Sequence, residues 1–301
     1  MLTLGALFAF LAALSFGITD ATARRGVISG SPFEALLISI PVGVILFFFA
    51  SLVTGQLFRV SELPLMSILL LCASGVVHFI WGRYWNFRTL QLLGSNLAAP
   101  VQQLGFIITL GLAILVLQES LSFSKVVGII LVLLGPLLVI KEAFNTQTQN
   151  LNFTPKFAQG YLAGFFSALG FGSSPILIRM ALKDAPLGVS GGLIAYLAAL
   201  VFLVLILTLQ RRLISSFKNL NREAALWFSF AGVSVGFSQL FRYIALGLAP
   251  VVIVSSLVRL SLIFRILFST LFNRKYELLS WLLIFGIAVS FIGGLVLVLA
   301  S

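Results

Sequence analysis

The amino-acid sequence predicts an all-α integral membrane protein whose ten transmembrane helices form two inverted five-helix repeats. The first reason is composition: of 301 residues, 60% are hydrophobic and 9% are charged, whereas a soluble domain carries about 25% charged residues. The second is a series of long apolar segments, and the third is a pattern that recurs in both halves. Such a chain has too few polar side chains to cover a surface that faces water, so we expect lipid to surround it.

Each apolar segment is long enough to cross a bilayer, which takes about 20 residues. The first segment is interpreted as a retained helix and not as a secretory signal, because Arg24 and Arg25 follow its apolar run instead of preceding it. The ten predicted spans are residues 2–22, 33–54, 65–86, 95–117, 124–141, 158–181, 187–209, 223–244, 249–271 and 278–300.

A polar segment, KEAFNTQTQNLNFTPKF, divides the chain almost in half. The predicted organisation is a first five-helix repeat over residues 1–141, a polar linker over 142–157 and a second five-helix repeat over 158–301. Because five is an odd number, the second repeat must enter the membrane from the opposite side. Inverted pairs of this kind place the substrate site near the midplane, where the halves meet.

The two halves share short patterns at a nearly constant offset. The first helix ends in SFGITDATARRG and the sixth contains GFGSSPILIRMALK, and aligning their Phe-Gly pairs places Arg24 on Arg179, 155 residues apart. Small residues spaced seven apart share a helix face and let two membrane helices approach closely. The closing helix of each half carries such a pair: Gly128 and Gly135, then Gly286 and Gly293.

Ionisable side chains at membrane depth are the best candidates for a solute site, because each costs roughly 2.5–3.5 kcal/mol at a helix centre on insertion scales. Arg259 lies ten residues past Pro250, near the middle of the ninth span. We expect it to face a cavity between the halves, with Ser255 one turn earlier, although a structural ion pair is the alternative. Arg265 projects on another face, where it pairs across a helix interface or extends towards the membrane surface.

Two adjacent amides, Gln102 and Gln103, lie in the apolar fourth span. The repeat places Gln103 at the position equivalent to Arg259, 156 residues apart. An amide on one side and a guanidinium on the other would suit a carboxylate, a phosphate or an amino acid. Hydrogen bonding between helices is the alternative role of both amides.

The third and eighth helices add His78, Trp81, Gln239 and Arg242 to the predicted site. His78 is the only histidine, and imidazole titrates near neutral pH, so a proton carrier and a hydrogen-bonded packing residue are both open. Trp81 shares a face with Trp85, which is also typical of an aromatic belt at the membrane interface.

Asp20 is the only acid in the apolar part of the first helix, four residues before Arg24. That spacing lets two side chains pair on one helix face. The alternatives are therefore a structural ion pair and a binding site for a cation or a proton.

The whole pattern resembles the drug/metabolite transporter superfamily, and within it the EamA-type ten-helix proteins. The resemblance rests on the Phe-Gly pair and downstream arginine of the first and sixth helices, on LVLQESLS at residues 115–122 and on the glycine-bearing closing helices. The sequence departs from the family in having Phe-Gly where Trp-Gly is frequent. The resemblance implies export or import of small metabolites, amino acids or drugs, without an ATP-driven motor in the chain.

We therefore expect a secondary transporter, an exporter of a small polar metabolite, that works by alternating access. An anionic or zwitterionic solute such as an amino acid is favoured because five arginines lie at or near membrane depth, against one acid, Asp20. The five are Arg83, Arg179, Arg242, Arg259 and Arg265. The alternative is a non-transporting membrane assembly or lipid-handling protein, in which these residues would pack with no open cavity between the halves.

The expected partners are a small-molecule solute and the lipid bilayer, while a coupling proton or ion and a homodimer stay open. With one His, one Cys and eight acids, the chain offers no catalytic set, and we expect no enzyme activity, metal or cofactor. Nucleic acid is not an expected partner, because the basic residues are scattered.

We expect a multi-pass protein of the plasma membrane, of the bacterial inner-membrane type. Connections opposite the termini hold eleven basic residues and those on the side of the termini hold three, which predicts termini outside the cytoplasm. The family resemblance suggests the reverse orientation.

Overall fold

The structure, a computed structural model of the chain, describes residues 2–134, 156–183, 185, 187–209, 221–272 and single positions between 285 and 299. No strand occurs in this part of the chain. The helices with described bounds are α1 (Leu2–Ser29), α2 (Pro32–Val53), α3 (Leu65–Gly75), α4 (Arg83–Leu117), α5 (Phe123–Leu134), α6 (Phe157–Ala181), α7 (Gly188–Leu209), α8 (Arg222–Leu248), α9 (Val251–Val258) and α10 (Ser261–Phe272). A 3₁₀ helix, Gln56–Glu62, follows α2, and a π-helical segment, Val76–Gly82, joins α3 to α4.

Within the described residues, six helices are long and apolar enough to cross a membrane, and two shorter apolar helices accompany them. The six are Leu2–Ser29, Pro32–Val53, Leu65–Leu93, Phe157–Ala181, Gly188–Leu209 and Arg222–Leu248; the shorter two are Leu104–Leu117 and Phe123–Leu134. They coincide with eight of the predicted spans. The predicted linker, apart from its last two residues, and most of the tenth predicted span lie outside the described residues.

Helix α4 joins the end of the third predicted span to the fourth, because it continues through residues 87–94, where the sequence predicted a break. Its first arm runs antiparallel to α6. The hydroxyl of Ser167 donates to the carbonyl of Gly82 at 3.0 Å, and the N–H of Lys156 donates to the carbonyl of Leu92 at 3.1 Å. Residue numbers therefore rise along α4 while they fall along α6.

The second arm of α4 runs parallel to α6. Gly164 faces Val101, and Gly172 faces Ile108 further along both helices. Because the first arm of α4 is antiparallel to α6 and the second arm is parallel to it, α4 must reverse its direction between Leu92 and Val101. The two predicted spans are thus two antiparallel arms, and the prediction missed only that helical hydrogen bonding continues through the turn.

Local sequence explains where helix α2 begins. At α2, the N–H of Glu34 donates to the Ser31 hydroxyl at 3.2 Å and the N–H of Ser31 donates to the Glu34 carboxylate at 3.0 Å. This capping box satisfies N–H groups that have no partner inside the helix, and Pro32 at the first helical position needs none.

Glycines allow helices from different halves to come into backbone contact. A Cβ atom on Gly17 of α1 would lie 2.8 Å from the backbone nitrogen of Arg265 in α10. A Cβ atom on Gly172 of α6 would lie 2.8 Å from the Cβ of Ile108 in α4. Both glycines belong to the Phe-Gly pairs, so the pattern that the sequence repeats is a pair of close helix crossings.

The predicted glycine faces of the closing helices also meet. A Cβ atom on Gly293 would lie 2.8 Å from the carbonyl oxygen of Gly128. Their predicted partners, Gly135 and Gly286, lie outside the described residues.

Two arginines bind backbone carbonyls on neighbouring helices. The guanidinium of Arg24 donates to the carbonyl of Leu90 at 2.7 Å, and that of Arg179 donates to the carbonyl of Leu246 at 2.9 Å. Leu246 lies in the last turn of α8, where carbonyls lack helical partners, and Leu90 lies in α4 just before the helix reverses. The donors are 179 − 24 = 155 residues apart and the acceptors 246 − 90 = 156.

Gln56 of the first half caps a helix of the second half. Its side-chain oxygen accepts from the N–H groups of Val189 and Ser190, at 3.0 and 3.2 Å, at the start of α7. Gly55 precedes it with a left-handed φ of 70°, and this turn directs the following side chain across the bundle.

Glu119 makes the matching contact at the end of α4. Its carboxylate accepts from the N–H groups of Val251 and Val252, at 2.8 and 2.9 Å, at the start of α9. Gln118 precedes it with a φ of 55°. Since α2 and the second arm of α4 end on the same face of the bundle, both caps join the halves on that face.

Candidate functional site

A cavity of about 130 Å³ lies between the two halves. Residues from α1, α2, α4 and the π-helical segment line it on one side, and residues from α6, α8, α9 and α10 line it on the other. Of the nine predicted site residues, seven line this cavity: Asp20, His78, Gln102, Gln239, Arg242, Ser255 and Arg259.

His78 belongs to a buried chain of hydrogen bonds that begins at Arg242. The Arg242 guanidinium donates to Gln239 Oε1 at 3.0 Å, and Gln239 Nε2 lies 2.7 Å from His78 Nε2. His78 Nδ1 lies 2.7 Å from the Ser174 hydroxyl, to which Arg242 also donates at 3.2 Å. Because arginine can only donate, the Gln239 amide must donate to His78 Nε2, and the imidazole hydrogen sits on Nδ1.

The hydrogen bonds of His78 indicate a structural role for its imidazole ring. Both ring nitrogens are engaged, and the side chain is 6% exposed. The π-helical segment carries it; such segments are rare and are frequently found at functional sites. His78 therefore helps to hold Gln239, and through it Arg242, in a fixed orientation at the cavity wall.

Arg83 is held by neutral groups on two other helices. Its guanidinium donates to the Ser39 hydroxyl at 3.2 Å and to the Tyr196 hydroxyl at 3.1 Å. It also lies 4.8 Å from the centroid of the Phe79 ring, a distance at which a cation is attracted to the ring face. These partners orient the guanidinium without neutralising its charge.

Asp20 pairs with an arginine of the other half. Its carboxylate lies 3.7 Å from a guanidinium nitrogen of Arg265 in α10, and the same nitrogen donates to Gln102 Oε1 at 2.9 Å. Gln102 in turn donates to the Asn86 side-chain oxygen at 2.8 Å. Arg265 thus pairs across a helix interface, the first of its two predicted roles, and Gln102 both lines the cavity and bonds between helices.

Arg259 stands where the ninth predicted span is interrupted. The span is divided into α9 and α10, and the N–H of Leu262 donates to the Arg259 carbonyl at 3.1 Å across the break. Its guanidinium lies 5.6 Å from the centroid of the Phe106 ring. Its buried Nε atom has no hydrogen-bond partner among the described residues. Ser255, one turn earlier, also lines the cavity.

Of the other two predicted site residues, one lies away from the cavity and the side chain of the other is not described. Trp81 is 46% exposed, donates from Nε1 to the carbonyl of Phe166 at 3.0 Å and packs against Trp85, the arrangement predicted for an aromatic belt. The side chain of Gln103 lies outside the described residues, and only its backbone position in α4 is described.

Several polar cavity residues were not predicted as site residues. Asn86 carried the same signal as Gln102, an amide inside an apolar span, and could have been found. Ser39 and Thr109 could not, because hydroxyls in membrane helices commonly bond to the carbonyl of the preceding turn, as Thr109 does to Gly105 at 2.9 Å. In the part of the chain that the structure describes, no three His, Cys, Asp or Glu side chains come together as a metal site would require.

Together the helices and the cavity define a multi-pass, all-helical membrane protein with a polar compartment between its halves. Residues 3–141 match the model of the EamA-like transporter family. The match confirms, for the first half of the chain, the resemblance to the drug/metabolite transporter superfamily, whose EamA-like members are membrane transporters. The predicted class, an all-α integral membrane protein, is thereby confirmed as well.

A solved crystal structure of another protein has the same fold over both halves. It aligns with 99% of this chain and 99% of its own, with a TM-score of 0.72 and 19% sequence identity. At this identity the likeness concerns the fold alone. No curated protein matches the chain.

Proposed function

We propose that the protein is a secondary transporter that exports a small polar metabolite, anionic or zwitterionic such as an amino acid, by alternating access. The observation that carries the proposal is the polar cavity between the halves, which is lined by Arg259, whose Nε atom has no hydrogen-bond partner among the described residues. The alternative, an assembly or lipid-handling protein, requires these side chains to pack without a cavity. The family resemblance is compatible with export and with import, and export is the direction that we propose.

Alternating access needs two halves that can exchange roles, and repeated contacts support inverted repeats. A Cβ atom on Gly5 would contact Leu248, and a Cβ atom on Gly160 would contact Leu93. The glycines differ by 160 − 5 = 155 and their partners by 248 − 93 = 155. With the arginine–carbonyl pairs, this supports a symmetry in which the first helix of each half packs inside the other half.

The helix caps suggest which movements transport would require. Gln56 and Glu119 join the halves on one face of the bundle, so opening the cavity to that face would separate each cap from its two N–H groups. Water can replace both partners once the face is open, which keeps the difference in free energy between the two states small. The interrupted ninth span, with Arg259 at its break, is typical of transporter sites.

We also propose a multi-pass location in the plasma membrane, of the bacterial inner-membrane type. Reporter proteins fused to each terminus test the orientation. The charge distribution predicts activity of periplasmic reporters, and activity of cytoplasmic reporters would support the orientation that the family resemblance suggests.

Transport is tested with purified protein in liposomes loaded with a labelled panel of amino acids and carboxylic acids. We expect efflux of at least one panel member above that of protein-free liposomes. Arg259→Gln should reduce it at least tenfold, whereas Arg59→Gln, which removes an exposed ion pair with Glu62, should not change it. Correctly inserted protein that moves no member of the panel in either direction would contradict the proposal.

A further inference from the structure

Among the described residues, the cavity lining carries a surplus of positive charge. Three arginines and one acid line it: Arg83, Arg242, Arg259 and Asp20. The acid lies beside Arg265, whereas none of the three arginines forms an ion pair with a described residue. Buried charges are costly unless an opposite charge compensates them, so the arginines leave a place for anionic groups of the solute.

The three lining arginines differ in how their donors are used. Arg83 and Arg242 are oriented by hydroxyl and amide groups, which leave their charge in place. Arg259 lies against an aromatic ring, with Nε free of hydrogen bonds to the described residues. One anionic group of a solute would therefore bind most favourably at Arg259, because accepting a hydrogen bond from this guanidinium breaks no existing hydrogen bond.

A zwitterion fits this charge distribution poorly. Its ammonium group would need a carboxylate, and the lining carboxylate, Asp20, lies 3.7 Å from Arg265. Reaching Asp20 would mean displacing a guanidinium that also donates to Gln102 at 2.9 Å. A solute of zero net charge would also leave the positive charge of the three arginines without compensation.

We propose that the solute is a small dianion, a dicarboxylate or a phosphate compound, with one anionic group at Arg259 and the other compensated by Arg83 and Arg242. The cavity volume of about 130 Å³ is close to that of an engineered cavity of about 150 Å³ that binds benzene. The dianion therefore has about six to ten non-hydrogen atoms. This inference rests on the proposed function and sharpens its substrate class.

Binding without transport gives the first test, since a ligand that binds the folded state raises its melting temperature. The purified protein is heated in detergent at constant ionic strength with succinate, its monomethyl ester, inorganic phosphate or glutamine. Succinate should raise the Tm with rising concentration, and the ester and glutamine should raise it at least tenfold less effectively. Stabilisation by phosphate in place of succinate would assign the dianion to the phosphate class.

The experimental outcomes that would contradict the dianion differ from those that would contradict transport. Stabilisation and flux with glutamine, but not with succinate or phosphate, would overturn the dianion and leave the transporter intact. Flux of no solute at all, with no stabilisation, would overturn both.

Variants of Arg259 give the second test. Arg259→Gln should weaken succinate binding at least tenfold and affect the monomethyl ester less, whereas Arg259→Lys, which keeps the charge, should retain the preference for succinate. Equal weakening of both ligands by Arg259→Gln would show a structural role and contradict the proposal. Arg59→Gln is the matched control for the loss of one arginine.

Discussion

The helices α1 and α6 open the two halves, and they are alike in packing but different at the cavity. Each has a Phe-Gly pair at a close helix crossing and an arginine that donates to a carbonyl of another helix. Facing the cavity, however, α1 presents Asp20 and α6 presents Pro175 at the equivalent position, 155 residues on. The contacts that hold the bundle recur, while the groups that line the cavity do not.

The same contrast extends to the helices around them. Under the proposed repeat, Asn86 of α4 is equivalent to Arg242 of α8, and Gln103 to Arg259, each pair 156 residues apart. In both pairs the first half has an amide and the second half a guanidinium. Under this repeat, an equivalent packing scaffold would carry different polar groups in its two halves, because the packing positions and the polar positions are different residues.

The largest expected effect lies at the close crossings, which the repeat predicts to be equivalent. Gly17→Val and Gly172→Val should each destabilise the fold by about 3 kcal/mol, the upper end for overpacking, because the added atoms meet another helix at 2.8 Å. Gly111→Val is the control, since nothing lies within 4 Å of a Cβ atom there. Thermal unfolding in detergent measures all three, and a large effect at one crossing alone would break the equivalence.

A smaller effect is expected where the two helices differ. Asp20→Asn removes the carboxylate beside Arg265, and losing one partner of a buried pair costs roughly 3–5 kcal/mol, reduced here because the Asp20 side chain is 21% exposed. We expect about 2 kcal/mol, with part of it recovered in the Asp20→Asn/Arg265→Gln double variant. Pro175→Ala at the equivalent position should have no such coupling to Arg265. Additive effects of the two substitutions would show that the ion pair contributes nothing.

The smallest expected effect lies at the arginine–carbonyl contacts. Arg24→Gln and Arg179→Gln each remove a charged donor to a carbonyl, a bond that contributes about 1.5–3 kcal/mol. We expect values near the lower limit, since water replaces part of the interaction. Solute affinity per folded molecule should stay unchanged in both variants, because neither arginine lines the cavity. A loss of affinity in either variant would place that arginine in the solute pathway.

Much of the site could be predicted because charge inside a membrane is expensive. Arg259, Arg242 and Asp20 were found on that ground alone, and the structure brings them to one cavity. The ion-pair partner of each charged side chain was harder to predict, because Asp20 and Arg265 are 245 residues apart in the chain (265 − 20). The Asp20–Arg24 spacing favoured a pair within one helix, and no local pattern indicates that a partner lies on α10.

Trp81 shows the limit of assigning a site from helix spacing. Trp81 and His78 lie three residues apart in the same predicted span, yet their side chains have different surroundings. Trp81 bonds to Phe166 at the exterior, and His78 bonds to Ser174 in the interior. Three residues of an ideal helix separate them by about 300° of rotation, but the π-helical segment changes that angle. The sequence carries no signal of a π-helical turn at this position.

Composition and periodicity determined the membrane class, most span positions and the repeated glycines and arginines, because burial in lipid acts on each helix separately. Only the tertiary structure decided which polar groups meet: the reversal of α4 against α6, the break at Arg259, the caps made by Gln56 and Glu119 and the pairing of Asp20. These features depend on contacts between helices that are far apart in the chain, and the sequence pattern of a single helix does not indicate such contacts.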